Sequence, residues 1–136
     1  MATSAFYKVN DFVEQVGLKN HNLNTDLLRV FLTNEQPLAT DTVKGDMVEI
    51  SAGGSYVALG EDIQNLYSEA SGIGTMTATD VTWATGPFGP FRFAVIYNDS
   101  GATKYLVGWY DYGTSITPGT GESFKVDFGA SVLTLQ

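Results

Sequence analysis

The chain contains no cysteine. That absence excludes disulfides, thiol nucleophiles and thiolate metal sites, and the redox compartment leaves no trace in the sequence. Positive charge is scarce as well: seven Lys and Arg face 15 Asp and Glu, a net charge of −8, which repels phosphate backbones and anionic lipid. No nucleic-acid or membrane partner is expected. No run approaches the roughly 18 consecutive apolar residues of a membrane span. The first eight residues, lacking a basic stretch ahead of an apolar one, do not read as a secretory signal. Histidine is nearly absent too. His21 alone stands in a polar stretch with no second metal ligand and no Ser or Cys partner close in sequence, and it reads as a surface or loop-packing residue.

What is present suits one domain. A chain of 136 residues, 43% of them hydrophobic, is expected to bury roughly 68% of the surface its unfolded form exposes, so it needs neither metal nor disulfide to fold. Charged residues make up only 16% of the chain while glycine reaches 15 residues, against averages of about 25% and about 7%. Sparse charge with abundant glycine favours turns and sheet.

Residues 9–17 are the helix candidate. Asn10 is placed to cap, Asp11 and Glu14 favour the first turns, and Val9, Phe12, Val13 and Val16 share a face, with Gly17 as the stop. Residues 26–33 then alternate as a strand apolar on both sides. Residues 34–45 have turn chemistry and read as a long loop or arm. Residues 47–51 and 55–59, flanking Gly53-Gly54, read as a short hairpin. Residues 60–74 give the weakest pattern. Beyond them, residues 75–85 read as one strand, 86–90 (Gly-Pro-Phe-Gly-Pro) as a rigid turn, and residues 91–98, 104–112, 123–128 and 132–136 as further strands. Gly108 allows a neighbouring strand to approach closely. Short strands spaced by Gly/Pro turns indicate an all-β fold, an antiparallel β-sandwich or barrel with a short N-terminal helix. The division is an N-terminal helix or arm at residues 1–25 and a β-sandwich at residues 26–136, one domain overall.

Catalytic signatures are not found. There is no Gly-x-Ser-x-Gly elbow, no EF-hand pattern, and the prolines of residues 86–90 lack the amide donors of a phosphate loop. No metal or cofactor is expected. Glu61, Asp62, Asp111, Glu122 and Asp127 would supply a carboxylate pair if the protein were a glycosidase, but solvated charges and turn bonds account for such residues. Phe6, Tyr7, Phe12, Trp109 and Tyr110 are the candidate contact residues, since aromatic side chains anchor interfaces as readily as cores.

Several blocks together resemble a known group. Residues 9–26 (Val-Asn-Asp-Phe-Val-Glu-Gln-Val-Gly-Leu-Lys-Asn-His-Asn-Leu-Asn-Thr-Asp) and 28–34 resemble the opening of small tailed-phage virion proteins. Residues 89–99 (Gly-Pro-Phe-Arg-Phe-Ala-Val-Ile-Tyr-Asn-Asp), 108–113 (Gly-Trp-Tyr-Asp-Tyr-Gly) and 121–128 (Gly-Glu-Ser-Phe-Lys-Val-Asp-Phe) are similar to later blocks of the same proteins. The best understood of these are capsid decoration, or cement, proteins with a jelly-roll-like β-sandwich. The resemblance implies a non-enzymatic bacteriophage structural protein on the outer surface of the head. It would form a dimer or trimer and bridge subunits of the major capsid protein to stabilise the shell, with the N-terminal helix and residues 34–45 as candidate arms. A second reading is a glycan- or receptor-binding β-sandwich module on a tail or head fibre, using the faces of Trp109 or Tyr110.

Overall fold

A computed structural model describes residues 5–136. Residues 1–4, which open the expected N-terminal arm and the stretch read as no signal, lie outside the described residues. The fold is all-β and antiparallel, with one short helix. Among the described residues no helix is long and apolar enough to cross a membrane.

The main sheet has five strands. In chain order they are β1 (Phe6–Lys8), β2 (Leu28–Thr33), β3 (Glu61–Asp62), β7 (Phe91–Asn98) and β8 (Leu106–Ile116), and in space they run β1-β8-β7-β2-β3. Strands β4 (Leu66–Ala70), β5 (Ile73–Thr77) and β10 (Leu133–Leu135) form a second sheet, and β6 (Val81–Trp83) pairs with β9 (Phe124–Val126) in a third.

Nearly every side chain of β2 and β7 is buried, whichever face it points to. Two different segments cause this. Tyr110 of β8 meets Phe128, just after β9, with ring centroids 5.9 Å apart. On the other face Lys44, in a single 3-10 turn (Lys44–Asp46), holds its ammonium 4.8 Å above the ring of Phe31 and 5.6 Å above that of Tyr97. Strands covered on both sides read as apolar on both parities, as the sequence of residues 26–33 does.

Residues 34–45, expected as a long loop or arm, are tied to the rest of the fold by backbone hydrogen bonds. Asn10 N–H donates to Ala39 C=O at 2.8 Å, Lys44 N–H to Lys104 C=O at 2.8 Å, and Leu106 N–H to Thr42 C=O at 2.9 Å. The expected hairpin at residues 47–59 is replaced. Gly53 and Tyr56 form one isolated bridge, and residues 47–51 and 55–59 form no strands of their own. Past the end of β3, Ile50 N–H donates to Leu32 C=O at 3.0 Å, and Leu32 N–H donates to the Tyr56 hydroxyl at 3.1 Å. A loop and a side chain thus complete the ladder of β2, whose amide would otherwise be buried unpaired.

The helix α1 (Asp11–Gly17) forms where the spacing placed it, but Asn10 is itself helical (φ −62°, ψ −39°) and makes no side-chain cap. Residues 75–85 divide into β5 and β6 around residues 78–80. In the turn at residues 86–90 the Gly86-Pro87 and Gly89-Pro90 peptide bonds are both cis. Tyr56, Trp83, Phe88, Phe91, Phe124 and Tyr112 make a continuous chain of ring contacts there, each pair 4.7 to 6.3 Å between centroids.

Candidate functional site

β1 ends the main sheet, and its two aromatics stand on opposite faces. Phe6 lies opposite Tyr110 and Tyr7 opposite Trp109. Gly108, opposite Lys8, makes this pairing possible. A Cβ there would collide with the Tyr7 carbonyl and would lie 2.5 Å from the Phe6 ring and 2.9 Å from the Lys8 Cα. The close approach expected at Gly108 is thus that of β1.

The five candidate contact residues separate sharply by exposure. Phe12 is 0% exposed, Tyr110 2% and Trp109 8%, so these three candidate contact residues are buried in the core of the folded chain. The reason is distant in sequence. Phe12 turns inward from α1 against His21, with ring centroids 5.4 Å apart, and Tyr110 is enclosed by Phe6 at 5.1 Å and Phe128 at 5.9 Å. Neither Trp109 nor Tyr110 offers a free face on which a sugar ring could stack. Phe6 is half-buried on the core. Tyr7, 50% exposed, lies stacked over Trp109 at 5.7 Å and 29° between planes. The outward side of β1 with the Tyr7 ring is what remains accessible of this cluster.

Four of the five acidic residues singled out in the sequence are engaged in hydrogen bonds of their own. Asp111 takes a bidentate bond from Arg92, Nε to Oδ1 at 2.8 Å and the second guanidinium nitrogen to Oδ2 at 3.1 Å. Asp62 accepts from Gln64 N–H, Glu122 from Gly119 N–H and Asp127 from Gly129 N–H, each closing its own turn. Glu61 and Asp62 are neighbours on β3 and so point to opposite faces of the sheet. Among the described residues no three His, Cys, Asp or Glu side chains are grouped to hold a metal ion.

The concavities among the described residues include a cleft and a smaller hollow. The larger, a cleft of about 430 Å³, is lined by residues from the loop after β2, by residues 48–51 and by Gly89 and Pro90. Its two carboxylates already have partners: Glu35 accepts from Val48 N–H at 2.9 Å, and Glu49 is bound by Lys44, Tyr56 and Leu59 N–H. The smaller, about 210 Å³, lies between Asn20, Asn98, Tyr105 and residues 101–103.

Sequence reasoning missed the tie at Glu49, whose Oε1 is 2.8 Å from the Lys44 ammonium and whose Oε2 receives the Tyr56 hydroxyl at 2.6 Å. A charged residue between Val48 and Ile50 gives no signal that it turns inward. The outer face of the β4, β5 and β10 sheet is free of charge, with Leu66, Ser68, Ala70, Ile73, Thr75, Thr77 and Thr134 sharing it by register. At strand spacings it measures roughly 240 Å², well short of the ~800 Å² per partner that a stable dimer buries. No family model, no curated protein and no solved structure matches the chain.

Proposed function

We propose that this chain is a non-enzymatic decoration protein of a tailed-phage head, binding the outer surface of the shell and bridging subunits of the major capsid protein. The observation that carries the reading on the structural side is the open edge of β1. It presents an exposed aromatic, Tyr7, backed by a buried one, Trp109, on a strand locked to a rigid five-stranded sheet. Such an anchor loses little side-chain freedom on binding, because its ring is already held. The sequence blocks at residues 9–34, 89–99, 108–113 and 121–128 supply the phage assignment. The net charge of −8 suits a position facing solvent rather than packaged genome. Oligomers that engage several capsid subunits at once would need only modest affinity at each contact.

The test is copy number in purified particles of the phage that carries this chain, by quantitative mass spectrometry against the major capsid protein. The reading expects hundreds of copies in a simple ratio to the capsid subunit. A handful of copies per particle would assign it to a tail or fibre instead, and absence from the particle would end the reading.

A further inference from the structure

Among the described residues the one histidine is not on the surface. His21 is 7% exposed, with its ring between Phe12 of α1 (5.4 Å) and Tyr105 ahead of β8 (6.1 Å, edge-on). Its Nδ1 lies 3.0 Å from the side-chain nitrogen of Asn98 at the end of β7. We propose that the His21–Asn98 contact is an acid-sensitive latch, which holds the C-terminal end of α1 and the following turn onto the main sheet and releases them when the imidazole gains a proton.

The chemistry follows from the orientation of one amide. Asn98 Oδ1 accepts from Ser100 N–H at 2.9 Å, and Asn98 Nδ2 donates to Asp26 Oδ2 at 2.7 Å. Turning the amide over would set oxygen against the Asp26 carboxylate and N–H against the Ser100 N–H, so both bonds fix it as it stands. Asn98 Nδ2 has two hydrogens for three neighbours, Asp26 Oδ2 at 2.7 Å, His21 Nδ1 at 3.0 Å and the Asn20 carbonyl at 3.3 Å; the two shorter contacts take them, so Nδ1 accepts. The ring is neutral, with its proton on Nε2, a buried atom with no hydrogen-bond partner. A second proton would place Nδ1–H against the Asn98 amide hydrogen, two donors face to face at a ring that is only 7% exposed.

The groups around the ring do not relieve this. Asp26 on the turn and Asp11 on α1 favour the charged form, Asn98 and Phe12 carry no charge, and the Tyr105 ring stands at 76° to the imidazole. Burial outweighs the two carboxylates and holds the His21 pKa below its ordinary value of 6.5. The unfolded or opened segment therefore binds the proton more tightly than the closed one. The latch is at full strength above pH 6.5 and weakens as pH falls from there through the lower pKa of the closed state. Opening stays local, because Asn65 independently holds the far end of the turn through Leu23 C=O at 2.7 Å and Asp26 C=O at 3.2 Å.

A single histidine gives a single imidazole signal, so its titration by NMR is unambiguous. The experiment combines that titration with hydrogen exchange of the full chain at pH 7 and pH 5, corrected for intrinsic rates, for the natural sequence and for His21→Gln. Glutamine keeps a neutral acceptor for Asn98 and does not titrate. The proposal expects a midpoint below 6.5 and, for each unit below it, about a tenfold loss of protection in residues 11–22 on acidification. Residues 91–98 should keep their protection, and His21→Gln should show no such loss. A midpoint at or above 6.5, unchanged protection at pH 5, or an equal loss in His21→Gln overturns the latch. If His21→Gln does not fold, the midpoint and the exchange of the natural chain still decide.

Discussion

The Tyr56 hydroxyl accepts from Leu32 N–H at 3.1 Å and donates to Glu49 at 2.6 Å, so that a side chain stands where β2 would otherwise need another strand. Burial first, then the bond to Glu49, push the phenol far above its ordinary pKa and keep it a donor. Tyr56→Phe removes both bonds and leaves the Leu32 amide buried without a partner. The expected loss is about 1–3 kcal/mol of stability, read as a lower urea midpoint with unchanged slope.

Lys44 and Glu49 form an ion pair at 2.8 Å, with side chains only 17% and 12% exposed, but the two partners are not equivalent. Glu49 also serves Tyr56 and Leu59 N–H, whereas the Lys44 ammonium rests over Phe31 and Tyr97. Glu49→Leu is therefore expected to cost about 3 kcal/mol or more. Lys44→Met, which keeps an apolar chain over the rings, should cost less. Thermal melts of the two variants and of the double variant check the order.

Gly108→Ala introduces a methyl where the β1 backbone already lies. The expected result is a loss of about 1–3 kcal/mol, together with faster amide exchange at residues 6–8, since β1 must move away from β8. Unaltered protection of β1 would contradict the packing described.

Tyr7→Ala should leave the fold intact, costing about 0.5–1.5 kcal/mol for the lost ring stack. It uncovers Trp109 while Trp83, 1% exposed, stays enclosed. Tryptophan emission is expected to shift to longer wavelength, and quenching by acrylamide to rise for one of the two tryptophans only.

A second loss of stability is expected in stronger acid, separate from that of His21. The bidentate bond from Arg92 holds the Asp111 carboxyl below its ordinary 3.8. At Asp99 partial burial pushes upward, but the bonds from Lys104 and Arg29 prevail and the net shift is again downward. Both contribute stability that is present above pH 3.8 and is lost as pH falls through their lower folded values. Urea midpoints between pH 5 and pH 2 should decline, and the decline should be shallower in Asp111→Asn.

Much of the main sheet was legible because β2, β7 and β8 are long and apolar on both parities, a pattern that only doubly covered strands sustain. Val9, Phe12 and Gly17 marked the helix for the same kind of reason, a repeating face with a stop. Alternation was silent on which segment does the covering. Trp109 and Tyr110 therefore read equally as contact and as core, and only the fold places Tyr7, not Trp109, at the surface. The missed strand β4 is an edge strand whose Leu66, Ser68, Glu69 and Ala70 are exposed, so no buried face imposes a pattern on it, and β5 was read only from Thr75 although it begins at Ile73. The apparent hairpin at residues 47–59 had the right turn residues, yet Ile50 and Tyr56 bond to Leu32 instead. Turn chemistry records a bend and carries no information about the partner.

The pairing of β2 with β7 has a consequence for how the chain is made. Leu28 lies opposite Asn98 and Thr33 opposite Phe93, so residues 34–90 must all be synthesised before β2 meets its partner. At about 5–20 residues per second, an apolar strand waits several seconds on the ribosome with both faces and both edges uncovered. β7 and β8, neighbours in sequence, can form their hairpin soon after emerging. β2, and at still longer range β1, then add to a ready template, and the interval before β2 docks leaves the nascent strand open to chaperones or to pairing with another copy of itself.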